Sequence, residues 1–324
     1  MALTSSAFRR YLLKRVAFML FSLWVISVLV FAITQVLPGN AAVMILGTFA
    51  TEESITALEQ QLGLNRPVYV QYFDWFTGVV TGDWGQSFVD NRPIEAIIWP
   101  RLIHSAELAA VSLLFVVVVA IPLGVLAAVR RNGPVDILVS NVAYLGISVP
   151  EFVTGTFLIL LFGGPVFNVL PGGDYVPRSE GLVPWFRHLL LPAITLTIIM
   201  LAHVMRQTRS GMVEALRSEY VRTSRLKGMS EFQVLFKHAL RNGLLPTITV
   251  LALDLGYVMG GIVVVEEVFA FPGLGRLIIF SINNRDLPTL QIVVLAIAAT
   301  YTVANFAADI MYTYLDPRIE YGDG

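Results

Sequence analysis

The sequence predicts an all-α integral membrane protein with about six transmembrane helices and a sizeable external segment after the first helix. Three observations support this class. First, 56% of the 324 residues are hydrophobic and 14% are charged, whereas soluble domains carry about 25% charged residues. Second, the mean hydropathy is +0.72. Third, uncharged apolar runs recur along the chain, and most Lys and Arg residues fall in only some of the segments between them.

Each predicted span is an apolar run of about 20 residues, the length of helix that crosses a hydrocarbon core about 30 Å thick. Pro150 and Glu151 interrupt the third run, which lies within 137–162. Asp254 lies near the centre of the fifth run, 243–265. The first run has no convincing cleavage site, so we expect it to be retained rather than removed as a signal peptide. The six runs are 16–37, 108–129, a stretch within 137–162, 189–205, 243–265 and 287–308.

The distribution of basic residues predicts the orientation of these spans. Of the 22 Lys and Arg residues, 15 lie before the first run, between the second and third, between the fourth and fifth, or after the sixth. Short segments rich in Lys and Arg remain on the cytoplasmic side of a membrane. We therefore expect both termini and the segment 206–241 to be cytoplasmic.

Two segments are too long to be simple turns, and they suggest the division of the chain. The predicted external segment, 38–104, contains an expected helix that starts at Thr51 and has apolar residues at helical spacing. The other long segment is 206–241. We expect an N-terminal part, 1–104, with the first transmembrane helix and the external segment. The second part, 105–324, should hold about five helices and the cytoplasmic segment.

The segment 206–241 is predicted to form two short amphipathic helices separated by Gly228. Ser230 and Gln233 have the spacing of a capping box that starts the second helix. Gly228 would take a backbone conformation that other residues avoid. Such an element could dock on a partner protein or lie on anionic lipid headgroups. The spacing alone leaves both readings open.

The stretch 220–228, Tyr-Val-Arg-Thr-Ser-Arg-Leu-Lys-Gly, is followed by 238–246, His-Ala-Leu-Arg-Asn-Gly-Leu-Leu-Pro. Together they resemble the permease loop of binding-protein-dependent ABC importers, in the dipeptide, oligopeptide and nickel permease family. The general importer loop has Glu-Ala-Ala where this chain has 222–224, Arg-Thr-Ser. His238 stands at its Ile position and Arg241 at its Pro position. These departures are usual in the peptide subfamily.

The resemblance extends over nearly the whole chain, because further family-like motifs occur in the same order. Many motifs in one order are far more specific than a single match. The motifs are 10–15, 37–39, 62–67, 82–87, 148–152, 271–276, 284–286 and 315–318.

The resemblance implies a type I ABC importer transmembrane fold and the first of two permeases. The chain would form half of a translocation pathway in a prokaryotic inner membrane, for di- or oligopeptides. Nickel complexes, opines and oligosaccharides remain alternative cargoes. The expected partners are the lipid bilayer, a second homologous permease, two ATP-binding cassette subunits and an external substrate-binding protein, with no nucleic acid.

We expect the chain itself to be neither an enzyme nor a cofactor-binding protein. It has no G-x-x-x-x-G-K-[ST] motif, so ATP and Mg²⁺ would be bound by the cassette subunits. It has no cysteine, and its four histidines are scattered without metal-like spacing. A secondary transporter is the less favoured rival, because it would need an inverted repeat and ion sites at the midplane.

Three sets of candidate site residues follow. Asp254 and Glu151 are candidates for the translocation pathway because ionisable groups within a membrane are costly; an interhelical hydrogen bond and a helix kink are the alternatives. Phe271, Pro272 and Gly273 would form an outer gate or an ordinary external loop. Coupling to the ATPase subunit is implied by the resemblance for Tyr220, Arg222, Thr223, Ser224, Lys227, Gly228, Phe232 and His238.

Overall fold

The computed structural model describes residues 6–36, 51–164 and 166–315, and within these ranges it is helical with no β-strand. This confirms the all-α class. The motif parts 37–39 and 316–318 lie outside the described residues. The helices are α1 (Ser6–Val36), α2 (Glu52–Leu62), α3 (Val68–Thr81), α4 (Ile94–Val129), α5 (Pro134–Ser148), α6 (Glu151–Leu158), α7 (Leu182–Arg217), α8 (Glu219–Leu226), α9 (231–243), α10 (Leu245–Val268), α11 (Leu274–Asn283) and α12 (Leu287–Leu315).

Several of these helices have the length and composition to cross a membrane. In the described ranges, four helical stretches qualify singly: 9–35, 94–129, 182–217 and 287–310. A fifth span results if α5 and the stretch Glu151–Gly163 count as one. The predicted run 243–265 falls on α10, in which the side chains of 255, 257 and 259–261 are not described. The chain is therefore a multi-pass membrane protein, and the exact number of six spans stays a prediction.

The bend between α5 and α6 follows from Pro150. A proline disfavours the helical conformation of the residue before it, and Val149 is extended, with φ −100° and ψ 127°. The two helical stretches meet at an angle of 103°. After α6 the chain makes a π-helical turn, Ile159–Gly163. The sequence correctly placed an interruption here.

The described residues fall into two compact units. One combines Met1–His104 with Gly273–Thr302, and the other combines Ser105–Pro272 with Val303–Gly324. No sequence pattern predicted that 273–302 would associate with the N-terminal part. The division into 1–104 and 105–324 stays a prediction.

The N-terminal unit begins its second helix as the sequence predicts. The side chain of Thr51 accepts a hydrogen bond from the backbone N–H of Ser54 at 3.3 Å and so caps α2. An aromatic cluster connects α1 with α3: the ring of Phe31 lies 5.5 Å from those of both Tyr72 and Trp75. A small apolar core around Ile94, Ile98, Leu274, Leu277, Ile292 and Val293 completes this unit.

Asp286 is the polar centre of the N-terminal unit. Its side chain is buried, and its Oδ2 accepts hydrogen bonds from the hydroxyls of Ser87 at 2.5 Å and Thr289 at 2.7 Å. Its Oδ1 accepts from the backbone N–H of Phe88 at 3.1 Å. The motifs 82–87 and 284–286, far apart in sequence, therefore meet through one carboxyl group.

The second unit is built around α7. Its core contains residues of α4, α5, α7 and α10, among them Leu108, Ala143, Met200 and Val258. A Cβ atom on Gly124 of α4 would lie 2.7 Å from the carbonyl oxygen of Met205 in α7. Only glycine allows the backbones of α4 and α7 to approach so closely.

The hydrogen bonds of Asp286 predict a stability effect. We expect Asp286→Ala to destabilise the protein by about 2–4 kcal/mol, because it leaves buried donors without their charged acceptor. Asp74→Ala is the matched control in the same unit: its ion pair with Arg66, at 3.0 Å, is exposed on both sides, and its loss should cost less than about 1 kcal/mol. Thermal unfolding of the detergent-solubilised proteins checks this. Equal midpoints for the two variants would contradict it.

Candidate functional site

The candidate site is the segment 219–243, which follows α7 directly. Ser218 is extended, with φ −69° and ψ 152°, and separates α7 from α8. After α8 the chain reverses at Gly228 and enters α9, which consists of Glu231–Gln233, a π-helical turn Val234–Ala239 and Leu240–Gly243. The predicted arrangement of two helices around Gly228 is confirmed.

Gly228 adopts the conformation that its place between the helices requires. Its φ is +77°, in the left-handed region that favours glycine, and its N–H donates to the carbonyl oxygen of Arg225 at 3.0 Å. A Cβ atom added here would meet nothing within 4 Å. A Cβ atom at 228 would thus be strained by the backbone conformation but would clash with no described residue of this chain.

Two sets of contacts hold the helices on either side of Gly228. The predicted capping box is confirmed: the hydroxyl of Ser230 accepts from the N–H of Gln233 at 3.4 Å, and the Gln233 side chain accepts from the N–H of Ser230 at 3.3 Å. Arg225 donates to both carboxylate oxygens of Glu231, at 2.8 and 3.0 Å. This pair spans the turn and fixes α8 against the start of α9.

The Arg225 guanidinium lowers the pKa of the Glu231 carboxyl. The ion pair therefore contributes to stability above the ordinary pKa of a glutamate and loses that contribution as the pH falls through the lowered value. Both side chains are largely exposed, so the contribution to stability is small. The pair orients the two helices at neutral pH.

The segment has one buried face and one exposed face. Val221, Val234 and Ala239 pack against Met212 of α7 and Ala128 of α4. On the other face, large apolar side chains are exposed: Leu226 is 81% exposed, Phe232 69%, Phe236 52% and Tyr220 39%. The rings of Phe232 and Phe236 lie 4.5 Å apart. An apolar cluster on a segment outside the candidate spans is typical of a binding surface.

The eight candidate coupling residues divide between these faces. Ser224 is buried, with its hydroxyl donating to the carbonyl oxygen of Tyr220 at 2.8 Å. His238 lies in the π-helical turn, and its Nε2 is buried without a hydrogen-bond partner among the described residues. The remaining candidates are exposed: Tyr220, Arg222, Thr223, Lys227, Gly228 and Phe232.

The candidate residues did not include Leu226 and Phe236, although both are exposed apolar residues of this segment. Phe236 follows Phe232 by four residues, the spacing that places two side chains on one helix face. That spacing could have identified it. Leu226 had no comparable signal, because its exposure follows from the position of the turn at Gly228.

The two pathway candidates lie on different helices of the second unit. Asp254 is in α10; its side chain is 6% exposed, and its Oδ2 has no hydrogen-bond partner among the described residues. Glu151 is half-buried at the first position of α6, after Pro150. No hydrogen bond joins these two described side chains.

The gate candidates lie after α10. Phe271 is completely buried and meets the ring of Tyr175 edge-on, with 5.2 Å between the ring centroids. The N–H of Phe271 donates to the carbonyl oxygen of Glu266 at 2.8 Å. Pro272 follows, and Gly273, in extended conformation, precedes α11. The structure thus places Phe271 in the core of its unit; the gate stays a prediction.

Glu107 of α4 organises the loop that holds Phe271. Its Oε2 accepts from the Tyr175 hydroxyl at 3.1 Å and from the Trp185 indole N–H at 3.0 Å, and its Oε1 pairs with Arg178 at 3.0 Å. Burial, and then the neighbouring Glu107 charge, raise the pKa of Tyr175 to about 12. The tyrosine therefore stays protonated and able to donate at neutral pH. Sequence reasoning did not select Glu107.

Two family models match this chain. One, described as a binding-protein-dependent transport system inner membrane component, matches residues 120–321. The N-terminal model of the same transport systems matches residues 8–111. The chain belongs to this family. Its candidate coupling segment and both pathway carboxylates lie within the range of the first model.

Curated relatives match this permease over almost its full length. It is 38% identical to a glutathione transport system permease protein, GsiC, of Shigella flexneri, and 37% identical to a probable peptide ABC transporter permease, y4tP, of Sinorhizobium fredii. It is 34% identical to a dipeptide transport system permease, DppB, of Alkalihalophilus pseudofirmus. Each comparison covers 96% of this chain and 99% of the relative.

The burial of Asp254 predicts how its variants behave in this permease. A buried carboxyl that serves the fold alone should tolerate Asp254→Asn, which keeps its size and removes only its charge. Asp254→Leu should lower the yield of the assembled transport complex. Glu151→Gln, at the less buried pathway candidate, is the variant with which the two Asp254 variants are compared. Uptake and complex yield of all three variants check this. Lost uptake with full assembly for Asp254→Asn would instead place Asp254 on the cargo path.

Proposed function

We propose that the chain forms half of the translocation pathway of an ATP-driven importer for di- or oligopeptides. The named cargoes of its relatives, dipeptides, peptides and glutathione, support this choice. Glutathione is itself a small peptide, so these cargoes share amide bonds and free charged ends. The cassette subunits hydrolyse ATP, and this chain forms the part of the pathway that moves in response.

The observation that carries this proposal is the element α8–Gly228–α9. It exposes Phe232, Phe236 and Leu226 beside a left-handed turn, while its other face is packed against α7. A partner that binds the exposed face can therefore displace α7 through the buried face. The partner is an ATP-binding cassette subunit. A second permease would complete the pathway, and an external binding protein would deliver the cargo.

Uptake by the reconstituted transporter tests the cargo class. The chain, its second permease, the cassettes and the binding protein are placed in liposomes that contain ATP. We expect the complex to accumulate labelled di- and tripeptides, and unlabelled peptides to compete. Accumulation of a nickel complex, an opine or an oligosaccharide, without peptide uptake, would refute the peptide cargo and leave the importer architecture standing.

Substitutions of Gly228 test the coupling role. Asn tolerates a positive φ better than other residues with a Cβ, and no described residue lies within 4 Å of the Cβ position. We expect Gly228→Asn to retain binding of the cassettes and Gly228→Trp to weaken it about tenfold or more, equivalent to about 1.4 kcal/mol. The measurement is co-purification of the cassettes with the permease.

Gly82 provides the matched control for this series. It also has a positive φ, +89°, and open space at its Cβ position, but it lies on the segment that we expect outside. Gly82→Trp should carry the same backbone cost and leave cassette binding unchanged. Normal cassette binding by Gly228→Trp would show that no confined partner surface covers this turn.

We further propose that both termini and the segment 219–243 face the cytoplasm, as the basic residues predict. Because the chain has no cysteine, single cysteines report on orientation. Asp90 and Arg131 are exposed, whereas Ser87 is buried and unsuitable. An impermeant thiol reagent should label Asp90→Cys in intact spheroplasts and Arg131→Cys only after lysis. The reverse labelling pattern would show that the chain has the opposite orientation in the membrane.

A further inference from the structure

Four other helices of its unit contact α7 at one level, residues 205–212. Besides the close approach of Gly124, the hydroxyl of Thr208 accepts a hydrogen bond at 3.1 Å from that of Thr247 in α10. A Cβ atom on Gly211 would overlap the carbonyl oxygen of Gly243 at the end of α9. These contacts join α4, α9 and α10 to one stretch of α7.

Asp136 and Arg209 tie α5 to the same stretch. Arg209 of α7 donates from Nε to Oδ1 of Asp136 at 2.6 Å and from Nη2 to Oδ2 at 2.7 Å. The Asp136 side chain is only 5% exposed and that of Arg209 is 30% exposed. Two parallel hydrogen bonds fix the direction of a guanidinium as well as its distance.

Asp136 also holds the turn between α4 and α5. Its Oδ2 accepts from the backbone N–H of Asn132 at 2.9 Å, and Asn132 has a φ of +60°. Ser140 adds a longer contact, 3.4 Å, to Oδ1. The carboxylate therefore connects a left-handed turn, the first turn of α5 and α7 at one point.

This link stands close to the candidate coupling segment. Arg209 precedes the end of α7 by about two helical turns, and α8 begins after Ser218. A displacement of α8 and α9 moves the end of α7, and a rigid link at Arg209 would carry the α4–α5 turn with it. Breaking this pair is costly on the side of Asp136, because it leaves a buried carboxylate without its charged partner.

We propose that Asp136 and Arg209 are positioning residues that make the α4–α5 turn move with α7 when a cassette subunit displaces the segment 219–243. The inference rests on the proposed coupling function of that segment. The pair touches neither cargo nor nucleotide; it acts by keeping α5 and α7 together during transport.

The distance between the turn and the end of α7 tests this directly and needs no cargo. Arg131→Cys and Arg217→Cys place two spin labels at exposed positions in the otherwise cysteine-free chain. Their distance is measured in the complete complex, without nucleotide and with Mg-ATP on cassettes that cannot hydrolyse it. We expect the same narrow distance in both states.

Breaking the Asp136–Arg209 ion pair should let the α4–α5 turn move independently of α7. In Asp136→Asn and Arg209→Lys, each combined with the two labels, we expect Mg-ATP to shift the distance by about 2 Å, the scale of helix displacements in switching proteins. Asp136→Asn keeps an oxygen for the N–H of Asn132, so the turn itself persists. Ser140→Ala, which loses only the longest contact, is the matched control and should behave as the unsubstituted chain.

Three results would overturn the proposal: a nucleotide-dependent distance in the unsubstituted chain, unchanged distances in both variants, or variants that fail to assemble, since the pair would then serve the fold alone. The ATPase rate of each permease variant, measured in parallel complexes with hydrolysis-competent cassettes, separates these results from a failure of the proposed function. A normal rate with unchanged distances refutes only the positioning role. An unsubstituted permease that does not alter the cassette ATPase rate refutes the coupling function and, with it, this inference.

Discussion

A carboxylate removed from water is costly unless hydrogen-bond donors surround it, and this constraint organises the described parts of the chain. Asp286, at the start of α12, accepts hydrogen bonds from Ser87, Phe88 and Thr289. Asp136 and Glu107 do the same for the α4–α5 turn and for the loop before α7. Each carboxylate accepts from segments that lie apart in sequence. The positions of the loops between the apolar helices thus follow from the need to satisfy a few buried charges.

Around α7, close backbone packing acts together with the Asp136–Arg209 ion pair. Gly124 and Gly211 let neighbouring backbones approach α7 more closely than any side chain would allow, and close backbone contact is how helices associate in a membrane that offers little hydrophobic drive. Packed interfaces of this kind shift between discrete arrangements rather than deform continuously. A unit tied together at 205–212 is therefore suited to move as one piece.

The segment 219–243 has one face packed within this unit and one face exposed. Its inward residues share a small core with α4 and α7, while Phe232, Phe236 and Leu226 remain exposed. The Arg225–Glu231 pair and the Ser230 capping box fix the shape of the turn from within the chain. A partner meets a preformed surface, which lowers the entropy cost of binding. In a membrane component of a binding-protein-dependent transport system, we propose that this surface binds a cassette subunit.

The sequence by itself determined the class, the main apolar runs and the local signals: the caps at Thr51 and Ser230, the turn at Gly228 and the interruption at Pro150. Each of these local signals depends on residues within about four positions of one another. Only the tertiary structure decided that Ser87 meets Asp286, that Asp136 meets Arg209, that 273–302 joins the N-terminal unit, and that Phe271 and Asp254 are buried. In a membrane protein apolar residues cover both the lipid-facing and the core-facing sides of a helix. Hydrophobic periodicity therefore cannot say which side packs inward, and that choice sets every long-range contact.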